Sequence, residues 1–273
     1  MRRRTFIKKL TWGTGALFMT HELSFANKSG GKIAVQMIYN NIIGDTGLKS
    51  AWGLSLWIDF GKDAVLFDTG GEPEVLWHNI QTCRIDLNKL STVIISHNHW
   101  DHINGLGMIL EKTDYKPVVY IPEMALRTVK QKHPKANLKG INEAQMIREH
   151  LWTTGQLKGS YKSDAIYEQA VFIINNGSLY IFTGCSHPGI VEIVAKVKQT
   201  HPEKQIEFAA GGFHLGGHTL GQLKDISVKL RKLDVKKIAP SHCTGDQAIE
   251  YFKEEWNDRF FEFYLRNRLE IPV

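Results

Sequence analysis

The 273-residue chain reads as a mixed α/β protein. Three observations predict it. Short apolar runs of strand length alternate with stripes of helical period from residue 32 onward. The composition is globular, 42% apolar and 23% charged, which excludes a disordered, collagen-like or polytopic membrane chain. No internal repeat or low-complexity linker interrupts the alternation, so one mixed domain over 27–273 is the simplest organisation.

The elements follow in order. Residues 32–39 and 54–60 are β-rich runs, and 64–67 is a shorter one ending at Asp68-Thr69-Gly70-Gly71. Leu76, Ile80 and Cys83 fall at helical spacing. Residues 92–96 form a buried-strand run that ends at a histidine cluster, and Ile103, Leu106 and Leu110 give a helical stripe directly after it. Residues 117–121 predict a strand, and Pro122 opens a helix to about Lys132. Over 133–165 the periodicity is weak and Gly and Lys are frequent. That stretch reads as a partly irregular crossing segment, the best place for a substrate-facing loop or lid. Strands are predicted at 171–174 and 179–183 around Asn175-Asn176-Gly177, a hairpin-turn sequence. Ile190, Ile193, Val194 and Val197 mark a helix, 206–210 a strand, and Leu220, Leu223, Ile226, Leu230 and Leu233 another helix. A strand at 237–240 and a helix through Ile249, Phe252 and Trp256 complete the pattern.

Residues 1–26 read as an address rather than as part of the fold. Arg3-Arg4-Thr5-Phe6-Ile7-Lys8, a mild apolar stretch to Met19 and small residues at Ser24 and Ala26 form a twin-arginine export signal with cleavage after Ala26. The apolar stretch is shorter than the ~20 residues a membrane span needs, so no stable membrane insertion is expected once the signal is removed. The reading implies a periplasmic protein and the twin-arginine export machinery as a transient partner. The net charge of +6 is concentrated in this segment, where Arg2, Arg3, Arg4, Lys8 and Lys9 face only Glu22. The remainder is nearly balanced and offers no nucleic-acid footprint. Cys83, Cys185 and Cys243 are too few and too scattered for a disulfide framework.

The run His97-Asn98-His99-Trp100-Asp101-His102 carries the chemistry. Alternate residues of an extended segment point the same way, so His97 and His99 face one point. Asp101 and His102, at the turn into the helix, face a second point beside it. Imidazole and carboxylate are the ligand set of zinc and iron-like divalent metals, and three imidazoles at an apolar strand end are costly to bury unpaired. Asp68 is read as a carboxylate that holds a ligand imidazole in the right tautomer. Two later runs, Thr183-Gly184-Cys185-Ser186-His187-Pro188-Gly189 and Pro240-Ser241-His242-Cys243-Thr244-Gly245, each lie between a strand and a helix. They nominate His187 and His242. His214, in Gly211-Gly212-Phe213-His214-Leu215, is a candidate general acid or substrate-facing residue. His218 fits the start of the following helix, and His21, His78, His133, His150 and His201 read as surface or linker residues. Cys185 and Cys243 are either thiolate ligands or small buried residues, the second being the commoner use of cysteine.

The H-x-H-x-D-H run, with Phe67-Asp68-Thr69-Gly70 before it, resembles the signature of the metallo-β-lactamase superfamily, and the resemblance covers nearly all of 32–250. With the 183–189, 211–215 and 240–245 runs it is similar to one branch. Members of that branch are called metal-dependent hydrolases or dihydropterin–ribofuranosyl-aminobenzene phosphate synthases. The resemblance implies a four-layer αββα sandwich with a one- or two-metal site at the sheet edges. It implies His97, His99 and His187 around one divalent ion and Asp101, His102 and His242 around the other. Zinc is the expected metal, with iron or manganese as alternatives. Two departures stand out. The bridging Asp of two-metal members has no counterpart, since Asp225 and Asp234 fall in or at the end of a predicted helix, and Cys185 is a candidate for that place. Trp52 precedes Gly53-Leu54-Ser55 where a His is expected. The expected function is hydrolysis of an ester, lactone or phosphoester-like small molecule, with Asp101 as proton acceptor should the second ion be absent. The alternatives are a synthase or transferase acting on a pterin or phosphorylated aromatic, and a non-catalytic exported metal-binding protein.

Overall fold

The computed structural model describes residues 23–24, 31–44 and 47–273. The export reading of 1–26 therefore falls outside the described residues, apart from the two at 23–24. The first half runs β1 (Leu23–Ser24), β2 (Lys32–Asn40), β3 (Leu54–Asp59), β4 (Ala64–Phe67), α1 (Pro73–Thr82), β5 (Leu90–Ile94), α2 (Trp100–Ile103), α3 (Leu106–Lys112), β6 (Val118–Pro122), α4 (Glu123–Lys132) and β7 (Asn137–Ile141). The second half runs β8 (Glu143–Arg148), β9 (Leu151–Gly155), β10 (Leu157–Tyr161), β11 (Asp164–Glu168), β12 (Val171–Asn175), β13 (Ser178–Thr183), α5 (Ile190–Thr200), β14 (Gln205–Gly212), α6 (Leu220–Lys232), β15 (Val235–Ser241) and α7 (Asp246–Trp256). Finally β16 (Arg268–Pro272) returns to the first sheet, between β1 and β2.

Two main sheets form among the described residues, ordered β1-β16-β2-β3-β4-β5-β6-β7 and β15-β14-β13-β12-β9-β8. Their side chains sort into three apolar layers, because successive strand residues point to opposite faces. Leu56 and Ile58 of β3, Val65 and Phe67 of β4, Val171 and Ile173 of β12, and Tyr180 and Phe182 of β13 meet between the sheets. Trp57 and Leu66 point the other way, onto Leu76 and Ile80 of α1 and Leu106 and Ile109 of α3. Phe172, Leu179 and Ile181 face Ile193 and Val197 of α5, Leu223 of α6 and Phe252 of α7. Helix, sheet, sheet and helix thus stack as four layers. Burial on both faces is why the central strands read as continuous apolar runs rather than alternating ones.

Strand ends deliver the site. β4, β5 and β6 are mutually parallel, as are β13, β14 and β15. Parallel strands bring their carboxyl ends to one edge, where ligand sites of open α/β sheets lie. Asp68 follows β4, the histidine run follows β5, and Cys185 to His187 follow β13. His214 follows β14 and His242 follows β15.

Two sequence expectations need correction. Residues 133–165 are not irregular; they hold β7, β8, β9 and most of a two-stranded hairpin, β10 with β11, that joins neither main sheet. β7 and β8 lie at sheet edges and β10 outside the main sheets, all half exposed, while β9 is buried between β8 and β12 but is short and threonine-bearing, so none carries an apolar run to read. The predicted helical stripe through residues 103, 106 and 110 is split into α2 and α3, with Asn104 and Gly105 between them. A Cβ at Gly105 would sit 2.2 Å from the Thr69 carbonyl oxygen, so the chain turns there to pass the β4 end.

Candidate metal centre

The predicted residues come together. The ligand-type atoms of Asp101, His102, Cys185 and His242 lie within 4.8 Å of one another, as do those of His97, His99 and His187. A third group, Cys185, His214 and Cys243, adjoins them and shares Cys185. His78, His133, His150, His201 and His218 join none of these groups.

Three rings are aimed by partners on their Nδ1 side. His102 Nδ1 donates to Asp68 Oδ2 at 2.7 Å, and His242 Nδ1 donates to Asn41 Oδ1 at 2.7 Å. Ser96 Oγ donates to Asp68 Oδ2 at 2.7 Å and so accepts from His97 Nδ1 at 2.8 Å. The Ser96 backbone N–H completes the cradle, donating to Asp68 Oδ1 at 2.6 Å. With Nδ1 held by its partner, Nε2 of each ring is the atom turned to the cluster, and its lone pair becomes available to a cation that displaces the proton there. His102 Nε2 lies 3.2 Å from both His242 Nε2 and Cys185 Sγ, and Asp101 Oδ2 lies 3.3 Å from His242 Nε2.

The first group shows the complementary sign. Nε2 of His97 and both ring nitrogens of His187 are buried without a hydrogen-bond partner. A buried polar atom without a partner is costly, and a divalent cation among these rings removes the cost. The donors present therefore fit metal ions, nitrogen-rich at one position and mixed nitrogen, oxygen and sulfur at the other.

Electrostatics agree. Burial, reinforced by the surrounding imidazoles, drives His97 well below its ordinary value and His187 down to about 3, so both rings are neutral. At His102 burial works in the same direction, but the Asp68 carboxylate outweighs it and lifts the pKa to about 9. Burial pushes Asp101 up, yet the hydrogen bond to His242 and the positive charge of His102 win and hold it well below the carboxylate range. Between Asp68 and Asp101, the His102 ring holds its proton in a strongly cation-attracting field.

Two features were not legible in the sequence. Glu168, fully buried at the end of β11, accepts from the backbone N–H groups of Cys185, Ser186 and His187 at 2.8, 2.8 and 2.7 Å. Burial pushes its carboxyl up to about 7 against those three bonds. It fixes the loop that supplies one donor to each cluster. Cys185, read from sequence chiefly as a small buried residue, is buried but has its sulfur among the ligand-type atoms of Asp101, His102 and His242. The signal for both is spatial, since Glu168 reaches 17 to 19 residues along the chain.

The loops hold strain. Asp68, Ser186, His214 and His242 all have positive φ, at 60°, 62°, 52° and 53°. Such conformations persist only where surrounding contacts over-determine them, and here four of them ring the donors. At Gly184 a Cβ would lie 2.2 Å from Ser96 Oγ and 3.0 Å from Asp68 Oδ2, so only glycine lets β13 approach the cradle. The His214 ring centroid lies 4.4 Å from that of His187, and the ring is made more basic by hydrogen bonding to Cys243, with burial opposing.

Residues 53–146 match the model of the metallo-β-lactamase superfamily. The chain is 28% identical to the 7,8-dihydropterin-6-methyl-4-(β-D-ribofuranosyl)-aminobenzene-5′-phosphate synthase of Methanocaldococcus jannaschii, over 77% of this chain and 87% of that protein. It is 25% identical to the uncharacterized protein MJ0448 of the same organism, over 72% of this chain and 85% of that one. Among solved structures it superposes on Tm1679, a metal-dependent hydrolase of the β-lactamase superfamily. That match has a TM-score of 0.74 and 24% identity, and covers 88% of this chain and all of that one. The metallo-β-lactamase fold protein YhfI from Bacillus subtilis gives a TM-score of 0.64 at 14% identity, over 88% of this chain and all of that one. A fold of this kind implies divalent metal binding, and the side-chain clusters at its sheet edge agree. Residues 53–146 thus carry the metallo-β-lactamase match, and the chain as a whole shares the fold of the solved members it superposes on.

Proposed function

We propose that the chain is a metal-dependent hydrolase of an ester, lactone or phosphoester carried by a small molecule. The reading is carried by the bare, buried ring nitrogens of His97 and His187 beside a second set of donors whose Nε2 atoms are freed by Nδ1 partners. His97, His99 and His187 would hold one divalent cation. Asp101, His102 and His242, with Cys185, would hold the other, zinc being the first choice and iron or manganese the alternatives. When bound, such ions supply Lewis acidity toward a carbonyl or phosphoryl oxygen and toward water. Asp68, Ser96 and Asn41 keep the imidazoles in register. Asp101, held ionised, is the proton acceptor if only the first position fills. His214, beside His187, donates a proton to the leaving group or grips an anionic substrate.

A second reading uses the same residues for a synthase or transferase acting on a pterin or phosphorylated aromatic, and the name of the Methanocaldococcus relative favours it. Purification with metal analysis, then assays on lactone, thioester and phosphodiester substrates with product masses measured, tests both. Addition of one water to the substrate mass supports hydrolysis, and a joined product supports the synthase. Absence of bound metal, with activity unchanged in His97→Ala, overturns the reading.

We also propose that residues 1–26 export the folded chain to the periplasm, on the strength of the Arg3-Arg4 motif. Changing Arg3 and Arg4 to Lys is expected to trap the protein in the cytoplasm; unaltered export refutes it.

A further inference from the structure

Four aromatic side chains are strongly exposed among the described residues: Trp52, Trp100, Tyr115 and Tyr161. Three of them border the metal centre. The Trp52 ring lies 5.1 Å from that of His242, on the side of the second cluster. Tyr161 lies 4.8 Å from His99 and 5.6 Å from His187, on the side of the first. Trp100 stands between His99 and Asp101 in sequence, and its ring edge fills the space where Gly71 lacks a Cβ, beside the Trp52 carbonyl. The three come from separate elements, so no single amphipathic face explains them.

The hairpin that carries Tyr161 is built to hold it there. Its two-residue tip, Lys162-Ser163, has φ of 47° and 74°, a conformation normally given to Asn-Gly. A non-glycine pair in that state is strained, and strain of this kind gathers at ligand sites. Farther along β10, Gly159 packs so tightly on the His187 carbonyl that a Cβ would lie 2.5 Å from that oxygen. The hairpin is thus clamped onto the His187 loop. Lys162 puts its ammonium 5.1 Å from the Tyr161 ring centroid, adding positive charge at the rim.

Rings 48%, 52% and 37% exposed beside one group of metal-type donors offer apolar surface that a ligand seated there would cover. We propose that this rim binds the flat, conjugated ring of the substrate and presents an attached anionic or ester group to the histidines. The proposal deepens the metal-dependent reading and rests on it for the direction in which the group points. Ring recognition itself can be measured apart from the metals.

The test is calorimetric titration of the metal-loaded and metal-stripped protein with 2-naphthylphosphonate and its saturated counterpart, decahydro-2-naphthylphosphonate. These differ in aromaticity at similar size, and their carbon–phosphorus bonds are not hydrolysed. Methylphosphonate reports on the cation positions alone. A naphthyl preference of about tenfold is expected, reduced about two- to tenfold by Trp52→Ala or Tyr161→Ala with methylphosphonate binding unchanged. Equal affinity for the two ring compounds, binding of neither, or a preference that survives the combined Trp52→Ala, Trp100→Ala and Tyr161→Ala variant overturns the proposal. Failure of the metal reading shows separately, as absent metal and absent methylphosphonate binding while ring preference persists.

Discussion

Replacing Asp68 by Asn isolates what a second layer of hydrogen bonds contributes to the metal centre. Asn tolerates a φ of 60° as well as any side chain but glycine, so the backbone is not disturbed. Oδ1 still accepts from the Ser96 N–H. The new amide nitrogen, however, takes the place of Oδ2 and meets Ser96 Oγ and His102 Nδ1, both 2.7 Å away. Two donors cannot face each other. His102 must switch its proton to Nε2, the nitrogen that lies 3.2 Å from Cys185 Sγ and His242 Nε2, and there it blocks ligation. Loss of such a partner lowers metal affinity about 10- to 100-fold, or about 1.4–2.8 kcal/mol. Competition against a chelating dye should show one cation weakened by that factor and the other little changed. In the metal-free protein the variant should also lose a pH effect. Asp68 raises His102 from 6.5 to about 9, so its stabilisation is complete below pH 6.5 and lost as pH rises toward 9. Asp68→Asn should flatten that alkaline decline. Wild-type affinity at both positions, with an unaltered His102 titration by NMR, would refute the reasoning.

Three further outcomes are expected. In the cobalt-loaded protein Cys185→Ser should abolish the thiolate-to-metal charge-transfer absorption and weaken one of two cations; an unchanged spectrum removes Cys185 from the coordination shell. Gly184→Ala forces a Cβ onto Ser96 Oγ and should destabilise the protein by about 1–3 kcal/mol in urea melts while lowering metal content. The metal-stripped protein should lose stability as pH falls from 6.5 toward 3. His187 titrates near 3 when folded and near 6.5 when unfolded, so the unfolded state binds the extra proton throughout that window. Stability that stays flat across it, with His102 and Asp101 substituted in control variants, contradicts the burial assigned to His187.

Much of this was readable from the linear sequence, for physical reasons that also explain what was not. The central strands announce themselves because both faces are buried; residues 64–67 predicted β4 to the residue, and 171–174 fell one short of β12. The site run was legible because four ligand-type residues within six positions at a strand end have no packing purpose. His187 and His242 could be nominated because a histidine between a strand and a helix sits at the sheet edge. Glu168 left no trace, since its partners are backbone N–H groups, which every residue possesses. Cys185 was undervalued because a buried cysteine is usually inert, and only the approach of β13 to His102 reveals its sulfur among the donors. The hairpin bearing Tyr161 went unseen because a polar two-stranded ribbon has no core-facing stripe.

The donors around His102 belong to distant parts of the chain: Cys185 is 83 residues away and His242 is 140. An ion gripped by both halves acts as a rivet through the lips of the sandwich, closing chain loops that are entropically expensive to close by packing alone. Loading such an ion would lock the two halves together in the same event that completes the proposed reactive centre. A chain without that ion would give up part of its cohesion along with its proposed chemistry, so an inactive copy would also be easier to unfold and clear.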